Sequence, residues 1–285
     1  MNTNDLPVKK IYIDTKYRRH DSVSTSNFKI ELPSTLKFPD NTIFYVDDVC
    51  IPHVWHTVEI GVNDKLYVRT ILNNVNADYI LTLTAQNYSG NQMAVEIDAK
   101  IRTLMDALGN ALNPAVGYYS QTQTLSVSIL GLPCKIMTDI EMRTAAPFAV
   151  NTGFHFVDTN NLDSVNDLLT NTSIISTIGT SATPVKFHLN LQPIRNLYLR
   201  SPNISSFTTI GCNGESSIIK KIPVTSKYGD MIFNNITAAN DFLDCSRQTW
   251  KTIEFHLLDV NSQYINLHGS NISFNLILDK QSPNQ

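Results

Sequence analysis

The chain has 285 residues, a formal net charge of −3 and only 16% charged residues, and Asn, Ser and Thr take the place of the missing charge. A mildly acidic chain lacks the basic field of a general nucleic-acid binder. No run approaches the ~18 apolar residues that span a bilayer, so no membrane span is expected. The length suits one large domain or two modest ones, with enough residues for a full hydrophobic core.

The first 20 residues are basic although the whole chain is not. Five are basic and two are acidic, which gives a net charge of +3. The basic residues are Lys9, Lys10, Lys16, Arg18 and Arg19. Such a segment is usually a solvated arm, and the sharper alternative is an arm that touches nucleic acid weakly or a neighbouring subunit. The opening residues lack the apolar core of a signal peptide, so we expect synthesis in the cytoplasm and reduced cysteines.

Alternation of apolar and polar residues, which marks half-buried strands, recurs along the chain. Weakly patterned strands are predicted at 9–14, 42–51, 65–72, 78–84, 117–120, 124–129, 134–138, 195–200 and 217–224. The strict patterns are Phe28–Leu32, Phe187–Leu191, Ile253–Leu257 and Ile272–Leu278. Prolines punctuate the strand ends, where a missing N–H does least harm. The chain is therefore predicted to be all-β.

One segment breaks this pattern and predicts a helix at about 90–108. Its apolar residues recur at spacings of three and four, which places them on one face of a helix. Ser89 and Gln92 have the spacing of a capping box before the first turn. Gly109 stands where a left-handed C-terminal cap is expected.

Predicted hairpins at 65–84 and 117–138 flank the helix and give a β-β-α-β-β unit. We predict a single jelly-roll β-sandwich that carries this unit as an inserted subdomain. The sandwich is assigned to residues 1–60 and 184–285, the subdomain to 61–145, and an irregular connection to 146–183. Residues 250–278 are predicted to form a hairpin that closes the sandwich against its early strands.

The sequence contains no recognisable catalytic or phosphate-binding motif, and we expect no catalytic, cofactor-binding or metal-binding residues. His53 and His56 are three apart on a predicted strand, so their side chains point to opposite faces. Asp47 and Asp48 diverge likewise and suggest a strand edge or turn. Asp259 opens a segment like a calcium loop, but the sixth position is not Gly and the twelfth is not acidic. A hairpin turn is expected there.

Seven blocks of sequence occur in a characteristic order and spacing. They are Ile11–Arg18 (IYIDTKYR), Ser26–Pro33 (SNFKIELP), Tyr45–Thr57 (YVDDVCIPHVWHT), Asn87–Met93 (NYSGNQM), Arg195–Ser206, Ile218–Asp230 and Ile253–Leu276. Together these blocks resemble the penton, or minor capsid, proteins of virophages and Polinton-like viruses. The third block resembles the I-P-x-x-W-x-T turn of that family. The resemblance covers nearly the whole chain.

The resemblance implies a single jelly roll that forms a homo-pentamer at the five-fold vertices of an icosahedral virion. Its neighbours there would be copies of a major capsid protein of the double-jelly-roll type. No enzymatic activity and no cofactor are expected. Two alternatives stay open. A β-sandwich module that binds a receptor or carbohydrate would carry exposed aromatic residues and form no pentamer, and an enzyme on a jelly-roll scaffold would need clustered His or carboxylate groups.

Overall fold

The structure, a computed structural model, divides the chain into two compact units. It describes residues 6–72, 75–107, 109, 113–129, 134–137, 169–170, 185–204, 209–211, 214, 217–236, 238 and 241–280. Met1–Trp55 and Ile194–Gln285 form one unit, here called the sandwich unit. His56–Pro193 form the other, here called the inserted unit.

The described residues form β-strands and a single long helix, in the all-β pattern that the sequence predicts. The elements are β1 (Lys10–Asp14), a 3-10 turn (Thr15–Tyr17), β2 (Asn27–Lys37), β3 (Thr42–Pro52), β4 (Lys65–Leu72), β5 (Val75–Thr82), α1 (Gly90–Ala107), β6 (Pro114–Tyr119), β7 (Thr124–Ile129), β8 (Cys134–Ile136), β9 (Leu169–Thr170), β10 (Val185–Leu189), β11 (Asn196–Arg200), β12 (Ile218–Pro223), β13 (Met231–Asn234), β14 (Leu243–Asp244), β15 (Thr249–Leu258) and β16 (Ser273–Lys280).

The sandwich unit is built from two antiparallel sheets. Sheet I has the order β1-β16-β3-β13, with β14 also paired to β3, and sheet II has the order β12-β11-β15-β2. Apart from the short β14, eight strands pair first with last, second with seventh, third with sixth and fourth with fifth. A long hairpin wrapped into two sheets produces this pairing, which defines a jelly roll. The predicted jelly-roll sandwich is confirmed.

Aromatic side chains join the two sheets of the sandwich. Phe255 of sheet II stacks on Phe28 with ring centroids 5.4 Å apart, and it meets Phe274 of sheet I edge-on at 5.1 Å. Trp250 of sheet II meets Phe44 of sheet I in the same way at 5.4 Å. All five rings are buried in one continuous apolar core. Aromatic pairs in these geometries add about 0.5–1.5 kcal/mol beyond the burial of their area.

The predicted C-terminal hairpin is wrong, because β15 and β16 belong to opposite sheets. A turn does follow β15, but the two sides of this turn pair only through a single β-bridge in the described residues, between Leu258 and Tyr264. Beyond it, Ile265 and Leu267 are 4% and 2% exposed and belong to the core. These two side chains anchor the chain as it passes from sheet II to sheet I, which prevents it from returning along β15.

The inserted unit contains a helix and two smaller sheets, β5-β4-β8 and β6-β7-β10-β9. The order β4, β5, α1, β6, β7 is the predicted β-β-α-β-β succession. The sequence places residues 56–60 and 184–193 in the sandwich, but both stretches belong to the inserted unit, where β10 pairs with β7 and β9. The predicted connection 146–183 lies outside the described residues, apart from Leu169–Thr170 in β9.

Helix α1 has the ends that its sequence predicts. The Ser89 N–H donates to Gln92 Oε1 at 2.9 Å, and the Gln92 N–H donates to Ser89 Oγ at 3.4 Å, which together make the capping box. Gly109 follows the last turn with φ +68°. The buried stripe consists of Met93, Ala94, Ile97, Ile101 and Met105. The predicted helix is confirmed to within one residue at its C-terminal end.

A buried and an exposed aromatic residue of the sandwich unit should differ in how much their truncation to Ala lowers the free energy of unfolding. We expect Phe255→Ala to lower the free energy of unfolding by about 3–5 kcal/mol, because it leaves a cavity between the sheets. Tyr17, which is 77% exposed and lies outside the β-strands, is the control, and Tyr17→Ala should change stability by no more than about 0.5 kcal/mol. Urea denaturation followed by tryptophan fluorescence measures both, since Trp55 and Trp250 lie in the sandwich unit. Equal losses would contradict this core.

Candidate assembly surface

The outward face of sheet I is set by the side-chain alternation of its strands. In β1, Ile11 and Ile13 point into the core while Tyr12 points outward and is 75% exposed. The registers align the outward positions in rows across the sheet. The rows are Lys10–Ile277–Tyr45, Tyr12–Asn275–Asp47 and Asp14–Ser273–Cys50–Phe233. Aromatic and aliphatic side chains thus share this face with carboxylates.

The edge of sheet I at β13 presents large apolar side chains to solvent. We call Met231, Phe233, Ile236 and Phe242 the β13 patch; their exposed fractions are 39%, 71%, 74% and 42%. The Phe242 ring packs edge-on against the outward Tyr45 with centroids 5.1 Å apart, which connects the patch to the middle of the sheet. Large apolar side chains exposed along one sheet edge in this way are typical of interaction sites on soluble proteins.

A buried lysine holds the segment that carries this patch. Lys220 of β12 points inward and its side chain is only 4% exposed. Its Nζ donates to the Ile236 carbonyl at 2.6 Å and to Asp241 Oδ2 at 2.9 Å, and the same oxygen accepts the Ala238 N–H at 3.1 Å. The backbone around Ile236 is therefore fixed before any partner arrives. A preorganised surface loses less conformational entropy on binding.

The outward face of sheet II has a different chemistry. In the described parts of β2, β11, β12 and β15 no large hydrophobic side chain is exposed. Charged residues occupy several of the outward positions instead, and some of them pair. Arg19 Nη1 lies 2.6 Å from Glu31 Oε2, and Lys251 Nζ lies 3.5 Å from Glu31 Oε1. The sandwich thus has one partly apolar outer face and one charged outer face.

The basic N-terminal residues belong largely to the sandwich rather than to a free arm. Lys10 is the first residue of β1, and its Nζ lies 5.1 Å above the centre of the Tyr12 ring. Arg18 Nη1 donates to the Thr15 carbonyl at 3.0 Å, and Arg19 Nε donates to Asp21 Oδ1 at 3.0 Å. The sequence-based picture of a solvated arm reaching to residue 19 is therefore wrong from residue 10 onward.

His53 is packed in the sandwich unit. Its side chain is 8% exposed, and the ring stacks on Trp55 with centroids 4.2 Å apart. Nδ1 lies 3.0 Å from the Ser226 carbonyl oxygen, and because that oxygen can only accept, Nδ1 is the donor. Burial lowers the pKa of His53, against the opposing effects of the Ser226 bond and the Asp230 charge. His56 lies in the inserted unit, where its backbone N–H donates to Glu59 Oε1 at 2.8 Å.

The sequence suggests that Asp48 lies at a strand edge or in a turn, and this prediction is wrong. Asp48 sits within β3, an interior strand of sheet I, with φ +55°. The β16–β3 register shifts there, so Asp48 occupies a β-bulge, and its Oδ2 accepts the Asn275 side-chain N–H at 3.1 Å. The bulge explains why two adjacent aspartates both reach the outward side.

The turn after β15 is organised by Asp259, as the sequence predicts for a turn. Asp259 Oδ1 accepts the backbone N–H groups of Asn261 and Gln263, each at 2.8 Å. Burial raises the pKa of Asp259, while these two N–H groups act in the opposite direction. The carboxylate therefore satisfies the turn backbone.

Cysteines in the described residues are free thiols. Burial raises the pKa of Cys134 to about 11 and that of Cys245 to about 12. Thiolates are the reactive form of cysteine, so neither group is activated as a nucleophile. The expectation that the chain has no catalytic, cofactor-binding or metal-binding residues stays a prediction.

Comparison with solved structures gives a likeness over nearly the whole chain. The fold is similar to that of the mavirus penton protein, whose selenomethionine-labelled form was solved by crystallography, with a TM-score of 0.53. The match covers 96% of this chain and 99% of the other, at 9% sequence identity. At that identity the likeness shows a shared fold. No protein-family model and no curated protein matches the sequence. Within the described ranges, no helix is long and apolar enough to cross a membrane.

The buried His53 should make the sandwich unit less stable in mild acid. Its pKa is lower in the folded than in the unfolded chain, so the unfolded state binds more protons between the two values. The free energy of unfolding should therefore fall as the pH drops below about 6.5, the ordinary histidine pKa. His53→Gln should flatten this dependence in urea titrations at pH 5–8. Exposed His20→Gln is the control, and an unchanged slope in His53→Gln would contradict the assignment.

Proposed function

We propose that this chain is a structural capsid protein that forms the pentameric vertex of an icosahedral virion. It associates with itself and contacts a major capsid protein of the double-jelly-roll type. The observation that carries the proposal is the jelly-roll sandwich with an exposed, preorganised apolar patch at β13. The shared fold with the mavirus penton protein supports it over nearly the full length of both chains.

The chemistry of the sandwich fits self-association. Closed rings form when each copy offers two different surfaces, one for each neighbour. Phe233 and Ile236 are more than 70% exposed, and burying such side chains stabilises association by roughly 25 cal/mol per Å² of apolar surface removed from water. Lys220 and Asp241 fix the backbone beneath them.

The same reasoning supports a non-enzymatic protein located in the virion and made in the cytoplasm of the infected cell. The titratable groups described above have structural partners: His53 with Ser226, Asp259 with its turn, and Lys220 with Asp241. The basic N-terminal residues that remain exposed, such as Lys9 and Lys16, could contact nucleic acid weakly.

One observation favours a second candidate, a β-sandwich module that binds a receptor or carbohydrate. Tyr12 and Phe233 are exposed aromatic residues on one sandwich face, which is the arrangement expected of such a module. The two candidates differ in oligomeric state, because the binding module forms no pentamer.

Light scattering on the purified chain should give a mass of five times 31.9 kDa at micromolar concentration. Phe233→Asp and Ile236→Asp place a charge in the β13 patch, and we expect each to shift the mass toward the monomer without changing the circular dichroism spectrum. Val23→Asp is the matched control, since Val23 is 81% exposed and lies outside the strands. It should leave the pentamer intact.

A monomer at every concentration, combined with glycan or receptor binding that Phe233→Ala abolishes, would contradict the capsid proposal and favour the binding module. Glycan-array screening of the parent chain and of Phe233→Ala makes that measurement.

A further inference from the structure

The two outward faces of the sandwich carry opposite net charge. The outward positions of sheet I carry one cation and five carboxylates, which gives a net charge of −4. They are Lys10 and, of the carboxylates, Asp14, Asp47, Asp48, Asp244 and Asp279. The outward positions of sheet II carry five cations and two carboxylates, which gives a net charge of +3. The cations are Lys29, Lys37, Arg200, Lys221 and Lys251, and the carboxylates are Glu31 and Glu254. The net charge of −3 of the whole chain conceals this separation.

Part of this charge is engaged within the chain, as in the pair of Lys29 with Asp21, and part is available to a partner. Glu31 is held by Arg19 and Lys251, and Glu254 lies 2.9 Å from His256, so the carboxylates of sheet II are engaged within the chain. The exposed Lys37 and Lys221, by contrast, make no ion pair with any residue that the structure describes. The same holds on sheet I for Asp47 and Asp279 within the described ranges.

We propose that the outward face of sheet I of one copy packs against the outward face of sheet II of the next copy. This inference rests on the proposed function and specifies the contact from which the ring is built. The β13 patch provides apolar area on one side of the contact. The aliphatic stems of Lys37 and Lys221 provide it on the other, since long cationic side chains cover apolar surface while their charged ends stay hydrated.

Electrostatics selects this arrangement over the symmetric ones. Two sheet I faces in contact would bring net charges of −4 and −4 together, and two sheet II faces would bring +3 and +3. Juxtaposed like charges oppose association, whereas opposite potentials favour it and fix its orientation. Pairing of unlike faces is a heterologous contact. In a closed ring each copy then uses its sheet I face for one neighbour and its sheet II face for the other.

Charge reversal on one face at a time tests the contact. Asp47→Lys, Asp244→Lys and Asp279→Lys together change the face of sheet I from −4 to +2. Lys29→Glu, Lys37→Glu and Lys221→Glu together change the face of sheet II from +3 to −3. In ~0.1 M salt we expect each triple variant to associate at least about tenfold more weakly than the parent chain, as measured by light scattering. Raising the salt to ~1 M should reduce the defect, because the screening length falls to about 3 Å.

The variant with all six substitutions is the matched control. Its faces carry +2 and −3, so attraction is restored and the pentamer should return. Because it contains every substitution of both triples, its assembly also shows that none of them prevents folding. A six-fold variant that is folded but monomeric would overturn the proposal.

Other outcomes separate this inference from the proposed function. If both triple variants assemble as the parent does, this contact is wrong while the pentamer stands. If only the sheet I triple weakens assembly, sheet I contacts a surface other than sheet II and the proposed pairing is also wrong. If the parent chain itself is monomeric at all concentrations, the proposed function and the contact fail together.

Discussion

The contact of Phe255 with Phe28 and Phe274 is the constraint on which the sandwich unit depends. It commits one face of each sheet to a shared core, and strand side chains alternate strictly between faces. Once Phe255 and Phe274 point inward, Glu254 and Asn275 must point outward. A shift of one residue in either strand would exchange the two sets. The chemistry of both outer faces, and so of any assembly surface, follows from the packing of this core.

The separation of the two units follows from how the sandwich pairs its strands. The β3–β16 and β2–β15 ladders join segments on either side of the inserted residues, and neither ladder includes a residue of the inserted unit. The entropy of closing a chain segment grows only slowly with its length, so a jelly roll tolerates a long insertion between its third and fourth strands. The inserted unit has its own core around Met93, Ile97 and Leu125.

Local sequence predicted what local physics decides. Strict alternation identified β2 and β15, and the capping box placed the start of α1 correctly. Local sequence does not determine which sheet a strand joins. The turn at Asp259 therefore suggested a hairpin between β15 and β16, which does not form. The four residues of β13 are too few to show a period, and its outward Phe233 breaks the usual polar pattern of exposed positions. The inward position of Lys220 was missed for a different reason. A lysine in a strand indicates an outward position, and its partner Asp241 is distant in the sequence.

The low charge of the chain therefore matters less than its distribution. A protein with many like charges repels its own copies, and a protein with none has little orientational preference when they meet. Here the carboxylates gather on the sheet that also exposes Tyr12 and Phe233, while Lys37 and Lys221 lie on the opposite sheet. Burial of apolar area supplies the affinity of a protein contact, and complementary charge sets its orientation. Because the two faces belong to one rigid sandwich, a copy that satisfies one neighbour already presents the complementary face to the next.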